Sequence, residues 1–514
     1  PLPFITGTIC AHNCMSKCTR NFYESPVDIR RTKLEAAEGG FEAVMAKLKA
    51  PEVSSDKKAA VVGGGPAGLA AAYFLARGGV KVTVFEKEAR MGGVVRNVIP
   101  GFRISDSAID NDVKLVAAMG VEMVNGKEIT DIEALKKDYD YVVLAVGASE
   151  QGVLKLEAGD TMNALDFLAQ FKATDGNVEL GKNVVVIGGG NTAMDTARAA
   201  KRNKGVEKVS LVYRRTRRYM PADEEELVMA VEDGVEFAEL LAPVKLENGN
   251  LYCKKMVLGE FDASGRRGVV ETDEIVTVPA DTVIAAVGEK VPGAFYEECG
   301  IVLDSRRRPQ VNQDTLETSV KGVYVAGDGL FGPATVVEGI RDGKAAAEAI
   351  IGKVLAEDLF KQSDADTIYG RKGRLAEEND QIIDSTRCLS CNSYCENCVE
   401  VCPNRANISL VVPGMDKHQI IHVDYMCNEC GNCKSFCPWD SAPYLDKFTL
   451  FANEADMENS KNQGFTVLDA AAGVCRVRLQ GRIMDYTVGT VNADVPDGIQ
   501  NIIRTVINDY SYML

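Results

Sequence analysis

Positive charge is scarce in this sequence. Its 58 lysine and arginine residues face 74 acidic residues, which gives a net charge of −16. Nucleic acids and anionic membrane surfaces need clustered positive charge on their partners, so neither is expected to bind. The chain also lacks a run of about 18 apolar residues, the length that a membrane span requires. No secretory signal is expected from its sequence, and because it starts at Pro1 rather than Met, we expect residues to precede it.

A Cys-x-x-Cys pair is absent between residues 60 and 340. A flavin-dependent disulfide reductase needs such a pair beside its flavin, so that class of enzyme is not expected. All but three of the 15 cysteines fall into tight groups, at 10–18, 388–402 and 427–437. Clustered thiols in a long chain indicate metal ligation in a reducing compartment, which predicts a cytoplasmic protein. The isolated cysteines are expected to be inert packing residues: Cys253, Cys299 and Cys475.

One internal repeat organises the middle of the chain. Ala59–Ala76 reads AAVVGGGPAGLAAAYFLA, and Asn183–Ala200 reads NVVVIGGGNTAMDTARAA. Each combines an apolar strand, a glycine-rich turn and a helical stretch, which is how a βαβ unit opens. Each also has a later strand that ends in the same tripeptide, at Gly147 and at Gly288. The sequence therefore predicts an α/β fold with two nested Rossmann-like dinucleotide-binding domains.

The domain boundaries expected from this repeat and from composition cover the whole chain. A short N-terminal helical iron–sulfur segment spans 1–55. An FAD-binding domain combines 56–150 with 281–355, and an NAD(P)H-binding domain at 151–280 is inserted between them. A charged linker at 356–386 leads to a 2[4Fe–4S] ferredoxin-like domain at 387–450 and a small β-containing cap at 451–514.

The first glycine turn predicts a flavin site. In Gly63-x-Gly65-x-x-Gly68 the glycines allow a tight turn and close approach of a pyrophosphate to a helix N-terminus. Glu86 ends the next strand, where a carboxylate binds ribose hydroxyls; a solvated glutamate beside a plain turn is the alternative. Asp328 follows a later buried strand and suits the ribityl hydroxyls of a flavin, and a helix beginning near Thr335 would stabilise negative charge on the reduced ring. The expected FAD residues are Gly63, Gly65, Pro66, Ala67, Gly68, Glu86, Lys87, Gly93, Val94, Arg103, Gly147, Gly327, Asp328, Thr335 and Val336.

The second glycine turn predicts a nicotinamide nucleotide site. After its second strand come arginines rather than an acid, and guanidinium groups suit a 2′-phosphate, so NADPH is preferred over NADH. The alternative is a solvated basic loop that faces Asp223–Glu226. Hydride transfer needs stacking and orientation more than a proton donor, so no catalytic acid or base is expected. The expected residues are Gly188, Gly190, Asn191, Thr192, Asp195, Arg214, Arg215 and Gly288.

Two cysteine motifs near the end of the chain predict iron–sulfur clusters. Cys427-x2-Cys430-x2-Cys433-x3-Cys437-Pro has the bacterial ferredoxin spacing, in which the fourth cysteine ligates the neighbouring cluster. The partner motif is Cys391-x3-Cys395-x2-Cys398-x3-Cys402-Pro. Crossed ligation then assigns one cluster to Cys402, Cys427, Cys430 and Cys433, and the other to Cys395, Cys398 and Cys437 with Cys391 or Cys388. Zinc is the alternative, but neither motif contains a histidine.

A third group, Cys10, Cys14 and Cys18, is one ligand short of a four-iron cluster. Either a further cysteine lies upstream of this chain, or the group is only part of a site.

A wider set of motifs resembles a known flavoprotein module. GTICAHNCMSKC, GGGPAGLAAAYFLA, VFEK, GGVVRNVIPGFRI, GGGNTAMD, VYRRTRRYMPADEEE and AGDG resemble the module of the glutamate synthase small subunit and of dihydropyrimidine dehydrogenase, over roughly residues 1–350. With CLSCNSYCENCVEVCPNRAN and CNECGNCKSFCPWD added, the whole chain resembles the C-terminal half of the YgfK-like family, described as selenate-reductase-like.

This resemblance implies two N-terminal four-iron clusters beside the flavin, with Cys10, Cys14 and Cys18 as the second cysteine block. It also implies that Lys33 lies near the place of a glutamine ligand in dihydropyrimidine dehydrogenase; because lysine cannot ligate, that site differs here. The YgfK-like family is thought to serve molybdenum hydroxylase partners, so such a subunit is the implied redox partner.

Three functional hypotheses follow. The preferred one is an electron-transfer subunit that links NADPH, FAD and four-iron clusters to a partner's metal centre, in either direction. A second gives the protein its own organic substrate, as in pyrimidine reduction, which would require an FMN barrel in a preceding half of the protein. A third makes it a non-catalytic redox-sensing or scaffold subunit with idle cofactors; the two intact dinucleotide motifs argue against it.

Overall fold

The computed structural model describes residues 1–16, 18–22, 25–261, 267–355, 388, 396–415, 418–437, 441–490 and 492–514, apart from the side chains of Thr19 and Phe22. The chain divides into two units, Pro1–Ala11 with Lys33–Glu357 and His12–Thr32 with Asp358–Leu514. Within the described residues, no helix is both long enough and apolar enough to cross a membrane.

Short helices make up the described N-terminal segment. They are α1 (Pro3–Ile9), α2 (Asn13–Ser16), a 3-10 turn (Thr19–Phe22) and α3 (Ile29–Lys47). Pro3 suits the first position of α1, because proline has a fixed φ and no N–H to satisfy. A helix of seven residues is marginal by itself, so the burial of Phe4 and Ile5 accounts for α1.

The first glycine turn joins a buried strand to a helix. The elements here are β1 (Lys58–Val62), α4 (Pro66–Arg77), β2 (Lys81–Glu86), α5 (Gly93–Asn97), α6 (Asp106–Ala117), β3 (Glu122–Asn125), α7 (Ile132–Leu135) and β4 (Tyr141–Leu144). Ala59 to Val62 of β1 are all buried, as expected for a central strand that is covered on both faces.

The second glycine turn lies in a second parallel sheet. The elements are β5 (Glu150–Gln151), β6 (Met162–Asn163), α8 (Ala164–Ala173), β7 (Asn183–Ile187), α9 (Asn191–Arg202), β8 (Lys208–Tyr213), α10 (Glu224–Glu232), β9 (Glu236–Glu239), β10 (Leu241–Glu247), β11 (Asn250–Phe261), β12 (Arg267–Pro279) and β13 (Thr282–Ala285). The parallel sheet has the order β6-β13-β7-β8-β9, and β10-β11-β12 form an antiparallel sheet. The antiparallel sheet covers the parallel one, since Leu251 and Cys253 share a core with Val185 and Val212.

The chain then returns to its first sheet. The remaining elements of this unit are β14 (Glu289–Lys290), α11 (Gly293–Glu298), β15 (Val323–Val325), α12 (Asp328–Phe331) and α13 (Val336–Ile351). β14 pairs with β5, and β15 pairs with β4 to give the parallel order β15-β4-β1-β2-β3. The expected boundary at residue 281 needs a correction, because β13 pairs with β7 in the second sheet. β13 completes the βαβ unit that begins with β7, just as β4 completes the unit that begins with β1.

The described cysteine-rich segment and the tail share one six-stranded sheet. Its strands, in order, are β16 (Asn407–Leu410), β17 (Gln419–Val423), β18 (Thr449–Phe451), β19 (Gly464–Asp469), β20 (Val474–Leu479) and β21 (Arg482–Thr487). Helices span Asn397–Glu400, Asn432–Ser435, Pro443–Asp446, Glu454–Asn459 and Asp497–Asp509. Leu410 and Ile421 lie in one buried cluster with Phe465 and Ile503 of the tail. The expected boundary at 450 therefore runs through a single sheet, because a segment rich in cysteine and poor in apolar residues obtains its core from the tail.

Candidate functional sites

The first glycine turn leaves an open backbone surface at the start of α4. Gly63 has a φ of +108°, and a Cβ on Gly68 would lie 1.9 Å from the Gly63 carbonyl oxygen, so the turn tolerates no side chain at either position. A Cβ on Gly65 would meet no atom closer than 3.9 Å, the Cα of Gly93. Pro66 and Ala67 follow as the first helical residues. This glycine-lined cradle fits a pyrophosphate at a helix N-terminus.

Glu86 is buried under this turn. Its Oε2 accepts the Gly64 N–H at 2.8 Å, and its Oε1 accepts the Glu88 N–H at 2.9 Å. The carboxylate thus holds the glycine turn in place and keeps lone pairs for ribose hydroxyls. The adjacent Lys87 and Val94 are exposed.

Asp328 lies where three elements meet. Gly327, with a φ of +73°, brings the end of β15 against α4, since a Cβ there would be 2.7 Å from the Cβ of Ala67. A Cβ on Gly343 of α13 would be 2.4 Å from the Ala67 carbonyl oxygen. Burial raises the pKa of Asp328 to about 6, and the Ala334 N–H at 3.2 Å opposes this only in part. A half-buried carboxylate with so little compensation fits a ligand that supplies hydroxyl donors, as a flavin's ribityl chain does.

The start of α13 carries a capping box. The Thr335 side chain accepts the Glu338 N–H, and the Glu338 carboxylate accepts the Thr335 N–H at 2.9 Å. The box leaves the N–H groups of Val336 and Val337 at the positive end of the helix dipole. Gly147, which follows β4, has a φ of +70°. The structure thus brings most of the expected flavin residues to the carboxyl edge of the first sheet.

The second glycine turn is overlaid by the loop that follows β8. The Tyr213 hydroxyl donates to the Tyr219 carbonyl oxygen at 3.0 Å, and the Tyr213 ring packs against Gly189. The Asn191 side chain accepts the Asp223 N–H at 3.0 Å, which ties the first residue of α9 to the far end of the loop. Gly190 itself stays open, because a Cβ there would meet no atom within 4 Å.

The arginines of this loop differ in their surroundings. Arg214 is exposed, and the buried Nε of Arg215 has no hydrogen-bond partner among the described residues. Arg217, in contrast, pairs with Glu224 at 2.8 Å, so the alternative of a basic loop facing acids is realised for this residue. Arg214 and Arg215, which follow β8 directly, thus keep guanidinium groups that fit a 2′-phosphate.

Two residues expected to bind a cofactor form an ion pair with each other. The Arg103 Nη1 lies 2.7 Å from the Asp195 Oδ1 and also contacts the Glu226 carboxylate. Arg103 comes from the domain of the first turn, and Asp195 and Glu226 from that of the second. Glu226 was not predicted from the sequence, because the acidic run in which it lies is typical of a solvent-exposed surface. Of the other expected residues here, Thr192 accepts the Thr196 hydroxyl through its carbonyl oxygen, and Gly288 has a φ of +94° beside β14.

Four cysteines from the two ferredoxin-like motifs line one cavity. They are the four that crossed ligation assigns to one cluster: Cys402, Cys427, Cys430 and Cys433. Backbone N–H groups point at two of the sulfurs, from Ala406 to the Cys402 Sγ at 3.2 Å and from Glu429 to the Cys427 Sγ at 3.3 Å. Such bonds stabilise thiolates in iron–sulfur sites.

Four cysteine thiols can ligate either a zinc ion or a four-iron cluster. Among the described residues, no group of three or more His, Cys, Asp or Glu side chains is arranged to hold a metal ion.

The second ferredoxin-like group is only partly described. Cys391 and Cys395 lie outside the described residues; Cys398 is buried, and Cys388 and Cys437 are half-buried. The buried Asn407 links the two groups, because it lines the four-cysteine cavity while its amide donates to the Cys398 carbonyl oxygen at 3.0 Å. Sequence reasoning missed Asn407, which has no motif of its own.

The N-terminal cysteines lie in different units. Cys10 is buried in the first unit, where the Lys33 Nζ lies 3.4 Å from its Sγ and 3.3 Å from the Thr6 carbonyl oxygen. Cys14 is exposed and Cys18 half-buried in the second unit. Lys33, which cannot ligate a metal, thus contacts a cysteine expected to do so.

The three isolated cysteines are buried, as expected for packing residues. Burial raises the pKa of Cys253 to about 12 and the pKa values of Cys299 and Cys475 to about 11. Their thiols stay protonated at neutral pH and are poor nucleophiles.

Comparisons with known proteins agree with this geometry. The family model described as pyridine nucleotide-disulphide oxidoreductase matches residues 57–343. The Escherichia coli (strain K12) oxidoreductase YgfK is 42% identical over 501 residues, which are 93% of this chain and 48% of that protein, so the chain spans about half the length of this relative. The small chain of glutamate synthase [NADPH] from E. coli (strain K12) is 35% identical over 384 residues, covering 68% of this chain and 80% of that one. Both matches confirm the resemblance drawn from the motifs.

Among solved structures, Mycobacterium tuberculosis FprA in complex with NADPH superposes with a TM-score of 0.51. The alignment covers 58% of this chain and 84% of FprA at 19% identity, a level that shows a shared fold alone.

Proposed function

Because this chain belongs to the pyridine nucleotide-disulphide oxidoreductase family, we propose that it is an NADPH-dependent oxidoreductase subunit that passes electrons between NADPH, FAD and [4Fe–4S] clusters. The family name refers to disulfide reduction, but residues 60–340, which carry both dinucleotide motifs, contain no Cys-x-x-Cys pair of the kind that such chemistry needs beside a flavin. Iron–sulfur clusters take the place of that pair in the proposal.

One observation indicates a cluster-binding site in addition to the flavin and nucleotide sites. Cys402 of one motif lines a cavity with Cys427, Cys430 and Cys433 of the other, which is the crossed arrangement of a two-cluster ferredoxin. A flavoprotein that acts only between a nucleotide and a small molecule has no use for such a group.

The flavin would lie at the carboxyl edge of the first sheet. Gly65 and the N-terminus of α4 would hold its pyrophosphate, Glu86 its ribose and Asp328 its ribityl chain. The start of α13 would face the pyrimidine side of the ring, where its free N–H groups stabilise negative charge. When bound, the flavin converts two-electron exchange with a nucleotide into one-electron exchange with clusters.

The nucleotide would bind at the start of α9. Gly188 would form the tight turn and Gly190 would leave the backbone open to the pyrophosphate, while Arg214 and Arg215 would bind a 2′-phosphate. No side chain needs to transfer a proton, because the protein's task here is to align two ring systems.

The redox partner is proposed from the resemblance to the YgfK-like family: a molybdenum-hydroxylase-type subunit that exchanges electrons with the clusters. A cytoplasmic location belongs to the same proposal, since thiolate ligands require a reducing compartment.

An anaerobic titration tests the proposal. Purified, cluster-loaded protein is titrated with NADPH and separately with NADH, while flavin absorbance and the EPR signal of reduced clusters are followed together. We expect the flavin to bleach and cluster signals to rise, preferentially with NADPH. Failure of NADPH to reduce the flavin faster than it reduces free flavin would favour an idle scaffold and refute the proposal.

A further inference from the structure

A buried group of charges joins the two nucleotide-binding domains. Arg103, in the loop between α5 and α6, reaches Asp195 on α9 at 2.7 Å and contacts Glu226 on α10. Their side chains are only 15%, 11% and 5% exposed. One cation from the flavin domain thus sits between two acids of the nucleotide domain.

Further contacts dock the same loop. The Phe102 ring lies under two guanidinium groups of α9, 5.1 Å from Arg198 and 4.3 Å from Arg202. On its other flank, the Lys172 Nζ of α8 donates to the Ile99 carbonyl oxygen at 3.2 Å and pairs with Asp106 at 3.4 Å. The loop therefore binds three helices of the second domain.

The energetics of these buried charges favour the docked arrangement of the two domains. Burial raises the pKa values of Asp195 and Glu226, and the Arg103 charge opposes that rise. Separating the domains would take Arg103 from these acids and leave them only Arg198 of α9, which lies 3.8 Å from Glu226, and the loss of a partner from a buried ion pair is costly. Because α9 begins at the second glycine turn, a contact that fixes α9 also fixes the nucleotide site relative to the flavin sheet.

We infer that Arg103, Asp195 and Glu226 are positioning residues that hold the nucleotide domain in register with the flavin domain, and that they do not contact either cofactor. This inference rests on the proposed function, because register matters only if a hydride passes between the two sites. Small misplacements of reacting groups lower rates sharply even when binding is intact.

Stopped-flow flavin reduction separates positioning from binding. In Arg103→Gln we expect the limiting rate of flavin reduction to fall roughly tenfold or more, while the Kd for NADPH changes by less than about twofold. Arg103→Lys should recover part of the rate, since it restores the charge. Arg307→Gln is the matched control, because Arg307 pairs with Glu297 inside the flavin domain; it should change neither constant.

A triple variant guards against misfolding. Arg103→Gln with Asp195→Asn and Glu226→Gln removes the cation and both acids together, so no buried charge is left unpaired, and it should show the same loss of rate. A rise in Kd at an unchanged limiting rate, or no change in either, would overturn the inference.

Hydrogen–deuterium exchange gives a readout that does not depend on turnover. Exchange across residues 98–105 and α9 should increase in Arg103→Gln and stay unchanged in Arg307→Gln. If NADPH does not reduce the flavin of the wild-type protein, the proposed function fails. The exchange experiment still tests the docking contact, because equal exchange in the two variants would refute it.

Discussion

Arg214 and Arg215 follow β8 directly and differ from their neighbour Arg217, which already pairs with Glu224. Replacing both by alanine should weaken binding of NADPH far more than binding of NADH, because only NADPH carries the 2′-phosphate that they would bind. The expected loss is roughly 1.5–3 kcal/mol for each charged hydrogen bond removed. Titration of each nucleotide against the flavin-loaded protein measures it.

Arg217→Ala is the matched control, since it removes a cation of the same loop whose charge is already satisfied. Equal loss of NADPH and NADH affinity in the double variant would refute the 2′-phosphate assignment.

Asp112 shows how one side chain holds a whole element. Its buried carboxylate accepts the Phe4 N–H at 3.1 Å and the Ile5 N–H at 2.7 Å, so α6 caps the N-terminus of α1. α1 leads directly to Cys10, and Lys33 binds the other end of this helix through the Thr6 carbonyl oxygen. The position of an expected cluster ligand thus depends on a helix cap in which Asp112 lies 107 or 108 residues from the N–H groups that it accepts.

The same cap predicts a pH dependence of stability. Burial raises the pKa of Asp112 from 3.8 to about 7, although the two N–H groups oppose the rise. The folded state therefore keeps this proton where the unfolded state has lost it. The contribution of Asp112 to the free energy of unfolding is complete below about pH 4 and is lost as the pH rises through about 7. The loss is at most about 4 kcal/mol.

Asp112→Asn should flatten this dependence. Thermal melts from about pH 4 to 8 should show that the Tm difference between wild type and variant changes steadily through this window. Asp131→Asn, which alters the exposed cap of α7, is the matched control. A constant difference in Tm at every pH would contradict the assignment.

For the whole molecule, the arrangement implies that nucleotide, flavin and clusters act in modules. Cys430→Ala removes a ligand from the four-cysteine cavity, so the C-terminal cluster signals and the bound iron should fall. Flavin reduction by NADPH should continue at its normal rate, because the nucleotide and flavin sites lie in a different unit of the chain. Iron analysis and stopped-flow absorbance measure the two effects.

Cys475→Ala serves as the control, because this buried cysteine belongs to neither motif and should leave the iron content unchanged. Loss of flavin reduction in Cys430→Ala would refute the modular order.

Local motifs determined a large part of this protein from sequence alone. The glycines at 63, 65 and 68 and at 188 and 190 predict strand–turn–helix units, because backbone geometry within a few residues dictates them. The spacing of the cysteines predicted which four would gather around one cavity. The arginines after β8 predict that the second turn binds NADPH while the first binds FAD, and this stays a prediction.

Only the tertiary structure decided how distant elements use one another. Arg103 and Asp195 looked like two cofactor ligands, but they are 92 residues apart and pair across the domains. The tail looked like a separate cap, yet it supplies the core beneath the cysteine-rich strands. The physical reason is common to both cases: a buried charge or apolar face must find a partner, and which partner it finds depends on domain packing that no local pattern encodes.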